Sequence, residues 1–136
     1  RIIEEKNDKS YQRRMLTMAE TNCLYCNYDE YDVIAKNDYG VVLPEPNSLS
    51  EGHCVIIQLR HVASFFEVTD KERKSLMSLL EQARNELNLR YQPAGFHVGF
   101  IDGEVFQEKV EHLHIHIIPR YKDKVLKLDE RWGISD

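Results

Sequence analysis

His112-Leu113-His114-Ile115-His116-Ile117-Ile118 alternates imidazole and aliphatic side chains and then closes on a second aliphatic residue. A β-strand sends successive side chains to opposite faces, so this stretch fits a strand with Leu113, Ile115 and Ile117 turned toward a core. His112, His114 and His116 then share the other face, about 6–7 Å apart for each two-residue step. Solvated surface histidines would not need so regular an apolar face behind them. Three uses remain open. The row can bind a catalytic metal and leave a position for water. It can supply a nucleophilic imidazole with neighbours that orient it. Or it can give one ligand to a structural metal site built elsewhere.

Working outward, Phe96–Ile101 reads as a second strand, joined to the histidine strand by a loop around Asp102-Gly103. Before it, Thr69-Asp70-Lys71-Glu72 has the form of a capping box, a hydroxyl at the N-cap and a carboxylate three residues on. Leu76, Leu79, Leu80, Ala83 and Leu87 follow at helical spacing, which predicts one amphipathic helix from about Asp70 to Leu89. His53–Gln58, with Cys54-Val55-Ile56-Ile57 at its centre, suits a buried strand. Tyr31–Lys36 and Tyr39–Leu43 flank Asn37-Asp38 and predict a β-hairpin. The expected fold is α+β, an antiparallel sheet with one long helix on a face. Residues 1–20 are charged, lack Gly and Pro, and form an expected N-terminal helical arm; residues 21–136 form the expected α+β domain.

The 136 residues amount to one domain. No unbroken apolar run exceeds four residues, against roughly 20 for a membrane-spanning helix, so no membrane partner is expected. No basic flank followed by an apolar segment marks a signal peptide; the chain begins at Arg1, so a lost leader stays open. Lys plus Arg number 18 against 23 Asp plus Glu, a net charge of −5 with no basic cluster. That balance argues against duplex nucleic acid and leaves room for a small phosphorylated ligand. Three cysteines, two of them in Cys23-Leu-Tyr-Cys26, do not make a disulfide framework. Free thiols fit a reducing compartment, and the expected location is the cytoplasm. Cys-x-x-Cys is also half of a tetrahedral zinc site. Cys54 reads as core, and His53 and His97 as satisfied or polar-face residues.

Residues 112–118 match the His-φ-His-φ-His-φ-φ signature (φ apolar) at every position, so the chain resembles the histidine-triad nucleotide hydrolases and transferases, the HIT family. The likeness runs from about Cys23 to Arg120 and includes Gly52–Ile57, Arg60-His61-Val62 and Phe100–Gly103. It implies that His114 attacks the α-phosphate of a nucleotide and forms a nucleotidyl-histidine, which water then cleaves. His116 would donate a hydrogen bond to the phosphate. The implied activity is hydrolysis of a nucleotide phosphoanhydride or phosphoramidate, with dinucleoside polyphosphates such as diadenosine tetraphosphate leading. In one branch of the family, and in related sugar-phosphate uridylyltransferases, a cysteine pair joins two histidines on zinc. The matching ligands here are Cys23, Cys26, His61 and His112. The expected cofactors are this structural zinc and magnesium arriving with the substrate phosphates. A homodimer is expected because the family usually pairs.

Gln107 falls near the position of a phosphate-contacting amide or hydroxyl, and Glu45 near the ribose-binding group. Two departures stand out: Glu108 brings a carboxylate toward the phosphates, and Ile101 stands where relatives carry Asn. Arg120 could add positive charge near the site. A metallohydrolase using His112, His114 and His116 as zinc ligands, and a non-catalytic zinc-stabilised nucleotide-binding module, are the alternatives.

Overall fold

The computed structural model describes residues 2–3, 23–103, 112–122 and 124. Its elements are β1 (Ile2–Ile3), β2 (Ala35–Lys36), β3 (Gly40–Pro44), β4 (Cys54–Gln58), α1 (Asp70–Tyr91), β5 (Gly95–Gly99) and β6 (His114–Arg120). They form one sheet in the order β1-β2-β3-β4-β6-β5. Every pairing is antiparallel except the two-residue β1, which lies parallel to β2. At Ile2–Ile3 the backbone is therefore a strand rather than the expected helix; the rest of the predicted arm lies outside the described residues.

Helix α1 begins as its capping box predicts. The Thr69 hydroxyl accepts from the Glu72 N–H at 3.1 Å, and the Glu72 carboxylate accepts from the Thr69 N–H at 2.9 Å. The helix runs two residues beyond Leu89 and stops at Gln92, whose φ is 51°. Pro93 explains that stop, because a residue before proline is pushed out of the right-handed helical region. Leu76, Leu79, Ala83 and Leu87 pack on a sheet face formed by Val42, Cys54, Ile56, Ile115 and Ile117. The opposite sheet face carries Val41, Leu43, Val55 and Ile57, covered by Cys23, Tyr25 and Val33. The chain thus stacks three layers: helix, sheet and the segment that holds the cysteine pair.

Several strand expectations change. The histidine strand runs His114–Arg120 rather than His112–Ile118, so His112 precedes it. Only Ala35–Lys36 pairs from the predicted strand at Tyr31–Lys36. Glu30–Asp32 forms a 3₁₀ turn, because the Asp29 carboxylate accepts from the Tyr31 N–H at 2.9 Å and holds the chain off the sheet. The hairpin turns on Asp38-Tyr39 rather than Asn37-Asp38. Asn37 stands at its base, its Oδ1 accepting from the N–H groups of Tyr39 and Gly40 and from the Ser75 hydroxyl. Further along, β5 ends at Gly99 instead of Ile101. The Asp102 carboxylate bonds the Ser64 hydroxyl and the Phe65 N–H, each at 3.0 Å, and draws that loop toward the β4–α1 connection.

Candidate active site and metal cluster

Strand β6 lies between β4 and β5, with His114 opposite Ile57 and His116 opposite both Val55 and Gly99. Its central position and the covering 23–33 segment bury the triad: His112, His114 and His116 are 0%, 4% and 2% exposed. Buried imidazoles need partners, and the partners fix which ring nitrogen holds the proton.

His114 Nδ1 lies 2.7 Å from the His112 carbonyl oxygen. A carbonyl only accepts, so Nδ1 carries a hydrogen, and an imidazole in that tautomer has its lone pair on Nε2. His116 has the opposite tautomer, for a reason that begins at Leu49. The Leu49 N–H donates to His53 Nδ1 at 3.0 Å, so the neutral His53 ring holds its hydrogen on Nε2. That Nε2 lies 2.8 Å from His116 Nδ1 and donates to it. His116 therefore carries its hydrogen on Nε2. Two imidazoles whose ring centroids are 5.0 Å apart thus offer a lone pair and a hydrogen-bond donor respectively. Tyr25 packs on the His114 ring, centroid to centroid 4.8 Å, and limits its rotation.

Cys23, Cys26, His61 and His112 converge, with one ligand atom from each within 4.8 Å of the others. Cys23 Sγ is 3.2 Å from His112 Nδ1, and Cys26 Sγ is 3.2 Å from His61 Nδ1 and 3.5 Å from His112 Nδ1. The Nε2–H of His112 donates to the Gln58 carbonyl, which leaves Nδ1 as a lone pair facing both sulfurs. Burial pushes the imidazolium form of His112 down to about 4, so the ring is neutral at ordinary pH. Two thiols and two imidazoles, with a carbonyl orienting one ring from behind, fit a tetrahedral metal such as zinc.

Glu45, His53 and His116 also lie within 4.8 Å of one another. Their tautomers tell against a metal there, since the Leu49 N–H occupies His53 Nδ1 and leaves the hydrogen on the nitrogen that would have to ligate. The three triad rings do not converge as a ligand set either. His112 turns its lone pair to the thiols, and His116 Nδ1 accepts from His53. Among the described residues His112 falls in the four-residue cluster, His116 in the group with Glu45 and His53, and His114 in neither, so no one group gathers the three rings that the metallohydrolase alternative needs.

Glu45 stands at the rim of the triad, its Oε2 3.8 Å from His116 Nδ1, and lines a cavity of about 370 Å³ with His53, Ser48 and Tyr91. Gln107 and Glu108 lie outside the described residues. Arg120 sits two steps past Ile118 on the histidine face and contacts His97 Nδ1 at 3.2 Å. Cys54 is core as expected, and burial pushes its thiol up to about 12. His53 is the residue that sequence reasoning undervalued. The available signal was a histidine opening the most apolar strand of the chain.

Such a fold, with His112, His114 and His116 buried in a row along and just before an inner strand, is that of a histidine-triad protein. The HIT domain model matches residues 29–123, and the chain belongs to that family. An uncharacterized 16.1 kDa HIT-like protein of Mycoplasma pneumoniae is 26% identical over 110 residues, covering 78% of this chain and 76% of that protein. An AP-4-A phosphorylase of Mycobacterium tuberculosis is 32% identical over 71 residues, 52% of this chain and 36% of the enzyme. A bis(5'-adenosyl)-triphosphatase of Saccharomyces cerevisiae is 31% identical over 91 residues, 66% of this chain and 44% of the enzyme. The chain thus spans less than half the length of either enzyme. Among solved structures, a HIT family protein from Bacillus anthracis superposes with a TM-score of 0.68 at 21% identity, covering 84% of this chain and 87% of that one. A Zn-bound histidine triad family protein from Mycobacterium smegmatis gives 0.68 at 15% identity, covering 78% and 80%.

Proposed function

We propose that this protein is a nucleotide hydrolase that works through a covalent nucleotidyl-histidine, with dinucleoside polyphosphates as the leading substrate class. The observation that carries the reading is the pair of ring contacts that set opposite tautomers, His114 Nδ1 on the His112 carbonyl and His53 Nε2 on His116 Nδ1, which place a lone pair on His114 Nε2 and a hydrogen on His116 Nε2. The lone pair of His114 Nε2 forms a bond to the α-phosphorus, and the bond to the bridging oxygen breaks, its electron pair leaving with the departing phosphate. His116 Nε2–H donates to a phosphate oxygen as charge gathers there. Water then attacks the same phosphorus, the N–P bond returns its electrons to His114, and a nucleoside monophosphate leaves. Glu45 is assigned to the ribose hydroxyls and Gln107 to the phosphates. Magnesium would come in on the substrate phosphates.

The same reading assigns zinc to Cys23, Cys26, His61 and His112. With four protein ligands, zinc supplies a structural cross-link there and no open position for substrate. Cys23, Cys26 and Cys54 form no disulfide among the described residues, which suits the cytoplasm. No helix among the described residues is long and apolar enough to cross a membrane. Pairing of two copies has a candidate edge in β5, where Val98 is exposed, and sedimentation of the purified protein tests it.

The deciding experiment assays wild type and His114→Ala on dinucleoside polyphosphates and a nucleoside phosphoramidate. Wild type should release monophosphate and trap an acid-labile nucleotide adduct in single turnover. His114→Ala should lose several orders of magnitude in rate and form no adduct. Residual turnover within about tenfold of wild type would overturn the assignment. An arm with inorganic phosphate separates water from phosphate as acceptor, a distinction the phosphorylase relative makes worth drawing.

A further inference from the structure

Glu72 was legible only as the third residue of a capping box, a place usually at the surface. Instead it is 0% exposed. Its carboxylate accepts from four donors: Gln58 Nε2 at 2.7 Å, Arg60 Nε at 2.9 Å, the terminal Arg60 nitrogen at 2.8 Å and the Thr69 N–H at 2.9 Å. Capping the helix accounts for only the last of these. Burying a carboxylate and most of a guanidinium is costly even when both are paired, and apolar residues could fill that volume at less cost.

What the other three bonds hold is the exit of β4. Gln58 and Arg60 are two residues apart, and both side chains end on the one carboxylate. The backbone carbonyl of Gln58 is the acceptor for His112 Nε2–H. His61, the next ligand, directly follows Arg60. One residue further, the Val62 carbonyl accepts from the Leu113 N–H at 2.7 Å. The segment from Gln58 to Val62, which carries His61, is thus tied on one side to Glu72 and on the other to His112 and its neighbour Leu113. The effect passes one step further, since the His112 carbonyl in turn holds His114 Nδ1.

We propose that Glu72 is a positioning residue for the metal centre: through Gln58 and Arg60 it fixes the carbonyl that orients His112 and the backbone that presents His61. The inference rests on the metal reading above. Partners that hold a ligand from behind change metal affinity by about 10- to 100-fold when removed. Thr69 provides the control, because Thr69→Ala removes the hydroxyl cap and leaves the carboxylate, Gln58 and Arg60 in place.

The test measures zinc affinity of the purified protein by competition with a chromophoric chelator, for wild type, Glu72→Gln, Thr69→Ala and Arg60→Lys. Cobalt-substituted samples report ligand geometry through their visible bands. Glu72→Gln should bind zinc about 10- to 100-fold more weakly with altered cobalt bands, while Thr69→Ala matches wild type on both. Arg60→Lys, which keeps the charge but loses the fork, should fall between and stands in should Glu72→Gln fail to fold. Wild-type affinity in both Glu72→Gln and Arg60→Lys, or an equal loss in Thr69→Ala, would overturn the proposal. Wild type that purifies without zinc sinks the metal reading instead. The ¹⁵N tautomer of His112 in that protein then decides: the proposal requires Nε2–H in wild type and Thr69→Ala, and a mixture in Glu72→Gln.

Discussion

One backbone N–H, that of Leu49, sets the tautomer of two imidazoles, because it leaves the neutral His53 ring only Nε2 for its hydrogen and so makes His116 Nδ1 an acceptor. His53→Ala should therefore lower kcat by about 10- to 100-fold with little change in KM, as His116 loses the partner that keeps its hydrogen on Nε2. Unchanged kcat in a well-folded variant would remove His53 from the site. The triad was legible in the sequence, since alternation alone placed three histidines on one face. His53 was not, because its partner lies 63 residues away and a single histidine in an apolar run gives no direction. Cys54 is a residue-scale case of the reverse kind. Its neutral thiol is favoured in the fold, with loss of the proton pushed up to about 12 from a usual 9.0. A group raised in this way gives stability that is whole below the unfolded value and is lost as pH rises from about 9 toward 12. Urea midpoints should fall over that window and fall less in Cys54→Val; equal slopes would show that the thiol is not the cause.

Helix α1 was the most legible element, because capping box and apolar spacing agree before any contact is known. The hairpin was less so. Its two-residue first strand and its displaced turn depend on Asp29 and Asn37 side chains that compete with the ladder for backbone N–H groups. Gly40 closes that turn and lies against the helix. A Cβ there would meet Leu79 Cδ1 at 2.8 Å and the Ile57 carbonyl oxygen at 3.0 Å. The leucine tip can move and the strand carbonyl cannot. Gly40→Ala should cost about 1–3 kcal/mol, read from urea unfolding. Leu79→Ala alone should cost about 2–5 kcal/mol through the cavity it leaves. The double variant should cost less than the sum, since each change relieves part of the other. Strict additivity would mean that the two side chains do not share the space.

At the scale of the molecule, the metal cluster joins the third layer to the sheet. Cys23 and Cys26 lie in the covering segment, while His61 and His112 leave β4 and enter β6. The cysteine pair was visible in the sequence as half a site. Its other half sits 35 and 86 residues further on, distances that no spacing rule spans, and only the family likeness joined them. If zinc occupies the cluster, its binding free energy is part of the folding free energy. Chelation should then remove one equivalent and lower the melting temperature, by roughly 3–6 °C for each kcal/mol lost at this chain length. Thiol counting gives an independent reading. The chain has three cysteines, and Cys54 is inert while folded because burial keeps it protonated. Loaded protein should therefore show no reactive thiol at pH 8, chelated protein two, and denatured protein three. Cys23→Ser should copurify without zinc and melt like the chelated wild type. Two reactive thiols in protein as purified, with a melting temperature that chelation leaves alone, would mean that the cysteine pair packs as plain thiols and the third layer holds by apolar contact.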